Sequence, residues 1–219
     1  MRKYIPYLRP VFVVFLVLFI DQTVKFWIKT HMYLGQEFSV FGNWFIIHFT
    51  ENPGMAFGFQ FGGGYGKLTL SVLRIVAVGL ISWYIFDSIK KGAKTGFIVC
   101  ASLVLAGAMG NIIDSAFYGL IFNDSLFQVA QFMPEGGGYG TFLHGKVVDM
   151  FYFPILNGTF PTWLPFWGGE EFQFFRPVFN IADASISIGV VITFIFQKKF
   201  FPPKEKEKVE SPEHIEEIS

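Results

Sequence analysis

Four long apolar runs divide the chain: Val11 to Ile28, Leu68 to Phe86, Phe97 to Phe117 and Pro177 to Phe196. A helix of roughly 20 apolar residues crosses the hydrocarbon core of a bilayer, so each run predicts a transmembrane helix. The stretches between them read differently. Asn43 to Thr50 is aromatic and β-branched and lies between the turn signals Gly42-Asn43 and Asn52-Pro53-Gly54, which predicts a strand. Phe57, Phe59 and Phe61 alternate with Gly58, Gln60 and Gly62, as a second strand or as rings at the lipid interface. Gly62-Gly63-Gly64 predicts a flexible break before the second helix.

The polar positions inside the apolar runs are few. Asp21 interrupts the first run and Arg74 the second; Asn111 and Asp114 lie in the third, Asn180 and Asp183 in the fourth. Asp149 sits in the apolar segment Val147-Val148-Asp149-Met150. A carboxylate at membrane depth is costly and by default marks function. The Asn-x-x-Asp spacing, present twice, puts both members of each pair on one helix face.

Composition agrees with the apolar pattern: 52% of the 219 residues are hydrophobic, 16% are charged, and the mean hydropathy is +0.46. The formal net charge of zero carries no information about partners, but its distribution does. Arg2, Lys3 and Arg9 precede the first run, Lys90, Lys91 and Lys94 fill the short link between the second and third, and Lys198 and Lys199 follow the fourth. The positive-inside rule then predicts both termini and the 90–94 link in the cytoplasm, with 29–67 and 118–176 outside. The basic start and apolar run resemble a signal peptide, but no small-residue cleavage site follows, so this reads as a retained helix. Cys100 is the only cysteine, which excludes an intramolecular disulfide.

This orientation brings Asp21, Arg74, Asn111, Asp114, Asn180 and Asp183 to one outer-leaflet layer, which Asp149 can join. Ala106, Gly107 and Gly110, with Ala182, Ala184 and Ser185, would let the third and fourth helices pack closely. The asparagines read equally as substrate-facing groups or as hydrogen-bonding glue. For the carboxylates the plainer alternatives are pairing with Arg74, capping of helix ends and, for Asp21, an ion pair with Lys25. Two close carboxylates cannot both ionise cheaply, so one keeps a proton while the other acts as a base. That permits hydrolysis by an activated water without a metal. No His-Glu-x-x-His, Gly-x-Ser-x-Gly or phosphate-binding loop competes with this reading. A proton-coupled carrier would need polar residues through the full membrane depth, whereas the inner halves of the runs are almost purely apolar. A scaffold protein whose carboxylates serve only helix packing is the other rival. The many aromatics of 118–176 predict either contact with the membrane surface or a small aromatic core.

Five motifs, in order, resemble the bacterial lipoprotein signal peptidases (signal peptidase II): Asp21-Gln22-Thr23-Val24-Lys25, Asn52-Pro53-Gly54-Met55-Ala56-Phe57-Gly58, Gly107-Ala108-Met109-Gly110-Asn111-Ile112-Ile113-Asp114, Val147-Val148-Asp149-Met150 and Phe179-Asn180-Ile181-Ala182-Asp183-Ala184. The resemblance implies an all-α membrane protein of four transmembrane helices with a small extracytoplasmic β-sheet cradle. It implies an intramembrane aspartic endopeptidase that cuts diacylglyceryl-modified prolipoproteins before the lipidated cysteine. The catalytic aspartates would be Asp149 and Asp183; Asp21, Asn52, Gly54, Gly110, Asn111, Asp114 and Asn180 would bind substrate or support the dyad. No metal or cofactor is implied. The implied partners are a lipidated prolipoprotein, membrane lipid and globomycin-type inhibitors, not nucleic acid, for a monomer in the cytoplasmic (inner) membrane of a bacterium.

Two departures stand out. The family usually places Arg after the aspartate of Gly-Asn-x-x-Asp, where this chain has Ser115. Residues 120–143 form an insertion before His144-Gly145-Lys146, and 154–175 a second outer extension. The peptidase domain is thus expected over 1–200, followed by a disordered charged tail, 201–219.

Overall fold

A computed structural model describes residues 5–53, 63–154, 156–174 and 177–202. The first two apolar runs form helices α1 (Ile5–His31) and α2 (Gly63–Lys90). The third forms α3 (Thr95–Ile113), which passes through a π-helical turn (Asp114–Tyr118) into the short α4 (Gly119–Ile121). Gly63 and Gly64 belong to the first turn of α2, so the expected break does not fall on them. Gly54, the alternation of Phe57, Phe59 and Phe61, and the tail from Pro203 lie outside the described residues.

The fourth run departs from expectation. Its helix, α5, spans only Ile181–Ile195 and is followed by the short α6 (Gln197–Phe200). Val178 and Phe179 instead form a strand, β6, and Asn180 caps the helix from outside. The reason is local: Asn180 satisfies the free N–H groups at the helix start, which ends the helix there despite apolar sequence on both sides. Among the described residues, three helical runs, Ile5–His31, Gly66–Lys90 and Thr95–Ile121, are long and apolar enough to cross a membrane; α5 is apolar but shorter.

The strand expected over 43–50 is β2 (Phe45–Asn52), and Asn43 and Trp44 belong to the turn before it. Gly42 enables that turn with φ +51°, and β2 folds back on β1 (Glu37–Phe41), which the pattern did not predict. With β3 (Val147–Tyr152) and β6 they form an antiparallel sheet in the order β1-β2-β3-β6. The extension 154–175 carries a separate hairpin of β4 (Leu156–Thr159) and β5 (Glu171–Phe174).

Helix α3 is the central one, packed against α1, α2 and α5. Small residues permit this. A Cβ on Gly107 would lie 2.2 Å from the Ala182 carbonyl oxygen, and one on Gly110 would lie 2.7 Å from Asp21 Oδ2. A second core joins the sheet to the end of α1 and to the chain after α3: Ile28, Met32, Phe49, Tyr118, Phe122, Val148 and Met150 are all buried. The aromatics of 118–176 do not form one core of their own among the described residues. Phe122 is fully enclosed, while Phe127, Trp163 and Phe166 project outward.

Candidate active site

The site forms where β3, the start of α5 and the C-terminal parts of α1 and α3 meet. Along β3, Val148 and Met150 point into the core beneath the sheet, so the alternation of a strand turns Asp149 to the opposite face. There Asp149 Oδ1 accepts a hydrogen bond from Asn180 Nδ2 at 2.6 Å. Asn180 is completely buried. Its Oδ1 accepts from the Asp183 N–H at 2.9 Å, and Asp183 Oδ2 accepts from the Asn180 N–H at 3.4 Å. This reciprocal capping box makes the second Asn-x-x-Asp pair a helix start rather than two residues on a helix flank. One asparagine therefore touches both aspartates.

The first Asn-x-x-Asp pair approaches from α3. Asn111 Nδ2 donates to Asp183 Oδ1 at 2.8 Å, and Asn111 Oδ1 accepts from Asn180 Nδ2 at 3.2 Å and from Lys25 Nζ at 3.0 Å. Lys25 is fully buried between two carboxylates, 2.9 Å from Asp21 Oδ2 and 2.8 Å from Asp114 Oδ2. Asp114 Oδ2 also accepts from the Val148 N–H at 3.2 Å, and Asp21 Oδ1 from the Ala182 N–H at 2.9 Å. Asp21 and Asp114 thus form a clamp around one lysine that holds β3 and α5 in place. Gln22 joins it, donating to both carboxylates.

Asn52 ends β2 opposite Val147, and Thr50 lies opposite Asp149, which puts Asn52 at the rim of the site. Ser115, in place of the usual Arg, is buried and donates to the Asn111 carbonyl at 2.9 Å, so it supports the π-helical turn.

Burial pushes the Asp149 carboxyl up to about 7, and the neighbouring Asp183 charge adds to the effect. Near neutrality Asp149 therefore holds a proton readily, as one member of an acid–base pair must.

A second buried ionic cluster escaped sequence reasoning. Lys29 Nζ lies 2.5 Å from Glu51 Oε1 and 2.7 Å from Ser125 Oγ, under the rings of Phe49, Phe122 and Tyr139. Lys146 Nζ lies 2.9 Å from Glu51 Oε2. Burial works against the Glu51 charge, but Lys29 and Lys146 outweigh it and hold the carboxyl below its usual range. A signal was present: Asp21, Lys25 and Lys29 recur at i, i+4 and i+8 in an apolar helix, and cations on such a stripe require partners.

Residues 13–199 match the family model described as signal peptidase (SPase) II. This chain belongs to the signal peptidase II family. It is 55% identical over 181 residues to a lipoprotein signal peptidase of Porphyromonas gingivalis, covering 82% of this chain and 78% of that one. A lipoprotein signal peptidase of Amoebophilus asiaticus is 38% identical over 180 residues, covering 81% and 72%. Among solved structures, a bacterial membrane enzyme determined by the in meso method aligns with a TM-score of 0.56 at 25% identity, covering 90% of this chain and 93% of that one. With its apolar helices, this signal peptidase II family member is a multi-pass membrane protein.

Proposed function

We propose that this protein is an intramembrane aspartic endopeptidase that removes the signal peptide from diacylglyceryl-modified prolipoproteins, cutting before the lipidated cysteine. The observation that carries the reading is the convergence of Asp149 and Asp183, from separate elements, on Asn180. A water between the two carboxyls loses a proton to the ionised member and attacks the scissile carbonyl. The protonated member hydrogen-bonds that carbonyl oxygen as it becomes an oxyanion. The proton taken from water then passes to the leaving amine. Asn111, Asn180 and the Lys25 clamp fix the carboxyls before substrate arrives, so little reorganisation remains for the reaction itself. Asn52 and Gly54 would line the substrate path, and Gly110 would allow Asp21 its close approach.

The same reading makes α5 a fourth span completed by its flanking residues, within a peptidase domain of 1–200. Both termini are cytoplasmic and the site faces outward from the inner membrane of a bacterium. It takes the enzyme as a monomer that binds globomycin-type inhibitors. A proton carrier is disfavoured by the confinement of the polar network to one level. The test is a gel-shift assay of cleavage on lipidated prolipoprotein. Asp149→Asn and Asp183→Asn should each be inactive, and the double variant hardly worse, because members of one unit are non-additive. Asp87→Asn and Asp124→Asn should cleave normally. Full activity of Asp183→Asn at normal protein levels would end the aspartic-peptidase reading.

A further inference from the structure

The loop between α4 and β3 is partly inverted relative to a loop that meets only water. Several of its polar side chains are used inside the protein. Ser125 is fully buried, with its Oγ accepting from Lys29 Nζ at 2.7 Å and donating to Glu51 Oε1 at 3.2 Å. Asn123 Oδ1 accepts from the Gln131 N–H, and Asp124 Oδ1 from the Leu126 N–H, both at 2.6 Å. Its large apolar side chains turn outward instead. Leu126, Phe127, Phe132, Met133 and Phe142 are all exposed, Phe127 by 89% and Met133 by 67%. In water the opposite arrangement has the lower free energy, and such a cluster marks an interaction surface.

Two of these residues also hold a backbone conformation that L side chains rarely adopt: φ is +59° at Phe127 and +52° at Met133. Both side chains are largely exposed, so packing within the chain does not offset the strain. Strain of this kind persists where the surroundings hold it, and it concentrates at functional positions. The support is visible here. The Met133 N–H donates to the Ile121 carbonyl at 2.7 Å, the Tyr139 N–H to the Phe122 carbonyl at 2.9 Å, and the Leu34 N–H to the Ser125 carbonyl at 2.9 Å.

The helices beneath the loop show what it faces. Phe132 packs on Phe26 of α1 with ring centroids 5.2 Å apart, and Phe142 packs on Phe117 after α3 at 6.0 Å. Phe26 and Phe117 are themselves exposed and lie at the ends of the apolar runs that form these spans. The loop therefore continues the lipid-facing surfaces of α1 and α3 at the level where both helices leave the bilayer. We propose that Leu126, Phe127, Phe132 and Met133 form a foot that inserts into the headgroup–acyl boundary of the membrane these helices span. Gln128, Gln131 and Glu135 are exposed in the same loop, which fits that boundary and not the hydrocarbon centre. The foot requires only the membrane spans and is independent of the peptidase chemistry proposed above.

The experiment measures depth with nitroxide labels on the full chain in nanodiscs of phosphatidylcholine and phosphatidylglycerol. Cys100 is buried and is replaced by Ser, so that each label has one attachment point. Labels are placed at Leu126→Cys, Phe127→Cys and Met133→Cys. Phe12→Cys, on the exposed side of α1, is the lipid reference, and Lys94→Cys, in the exposed link before α3, is the water reference. Power saturation compares access by oxygen, which partitions into lipid, with access by a nickel chelate, which stays in water. At the three loop positions oxygen access should exceed nickel access, as at Phe12, whereas nickel should dominate at Lys94. The three labels read one surface, so poor accumulation of a single variant leaves the test intact. Nickel access matching that at Lys94 would overturn the foot. Low access to both reagents, the sign of a covering protein or a second copy of this chain, would overturn it equally.

Discussion

Asn111 presents its amide nitrogen, not its oxygen, to Asp183. The orientation is forced, because Lys25 Nζ and Asn180 Nδ2 both donate to Asn111 Oδ1, leaving Nδ2 to meet Asp183 Oδ1 at 2.8 Å. The lysine clamp thereby reaches the dyad through one side chain.

Asn111→Ala should lower cleavage by about 10²–10³, the usual loss when one preorganised polar contact is removed from a reacting centre. Asn180→Ala should lose at least as much activity, and also about 1 kcal/mol of stability from the missing helix cap. Cleavage rates together with thermal unfolding of purified protein check both. Parent-rate cleavage by the two variants would reduce the asparagines to packing glue.

The Asp149 carboxyl makes stability depend on pH in a defined direction. Its ordinary value is 3.8 and its folded value about 7. Between these values the folded protein holds a proton that the unfolded chain has released, so stability falls as pH rises through this window. Below it the two states differ little; above it the full penalty, on the order of 4 kcal/mol as an upper figure, is present. Asp149→Asn should therefore raise the unfolding temperature in detergent at pH 8 and change it little at pH 4. A stabilisation equal at both values would show that the carboxyl is not titrating in this way.

Gly107→Ala places a methyl against the Ala182 carbonyl and should part α3 from α5, with a large fall in both accumulation and activity. Gly79, on α2, has open space at its Cβ, and Gly79→Ala should be neutral or slightly stabilising. Wild-type behaviour of Gly107→Ala would contradict the packing described.

Removing the carboxylate that Lys29 and Lys146 share should cost more than removing a lysine with it. Glu51→Leu strands a buried cation, a loss of about 3–5 kcal/mol, whereas Lys29→Met with Glu51→Leu should recover part of it. Unfolding midpoints of the two variants and the parent decide this.

Much of the fold and of the candidate site was legible because membrane helices announce themselves by long apolar runs, and polar residues inside them are conspicuous. The runs of α1, α2 and α3 read directly, as did the close approach at Gly107 and the gathering of Asp21, Asn111, Asp114, Asn180 and Asp183. What did not read was set either by a single cap or by contacts distant in sequence. The start of α5 at Ile181 is set by the local Asn180–Asp183 capping box, and a hydropathy window averages across that cap. Strand β1 is too short and too exposed to show a pattern without its partner. Glu51 meets its partners across long stretches of chain: Lys29 and Lys146 lie 22 and 95 residues away from it.

The excursion after α4 leaves and returns at one point. Gly140 N–H donates to the Gly119 carbonyl at 2.8 Å and Gly145 N–H to the Ser115 carbonyl at 2.8 Å, so the two ends of the loop are stitched together just above the π-helical turn. A loop closed at its base transmits little of its own length to the frame that carries it, and the entropy of closing it grows only slowly as residues are added. Residues could thus be added to or removed from this loop while its closed base holds the approach to β3. Only the few side chains that reach back from it, Ser125 and Tyr139 above all, would have to be exchanged together with Lys29.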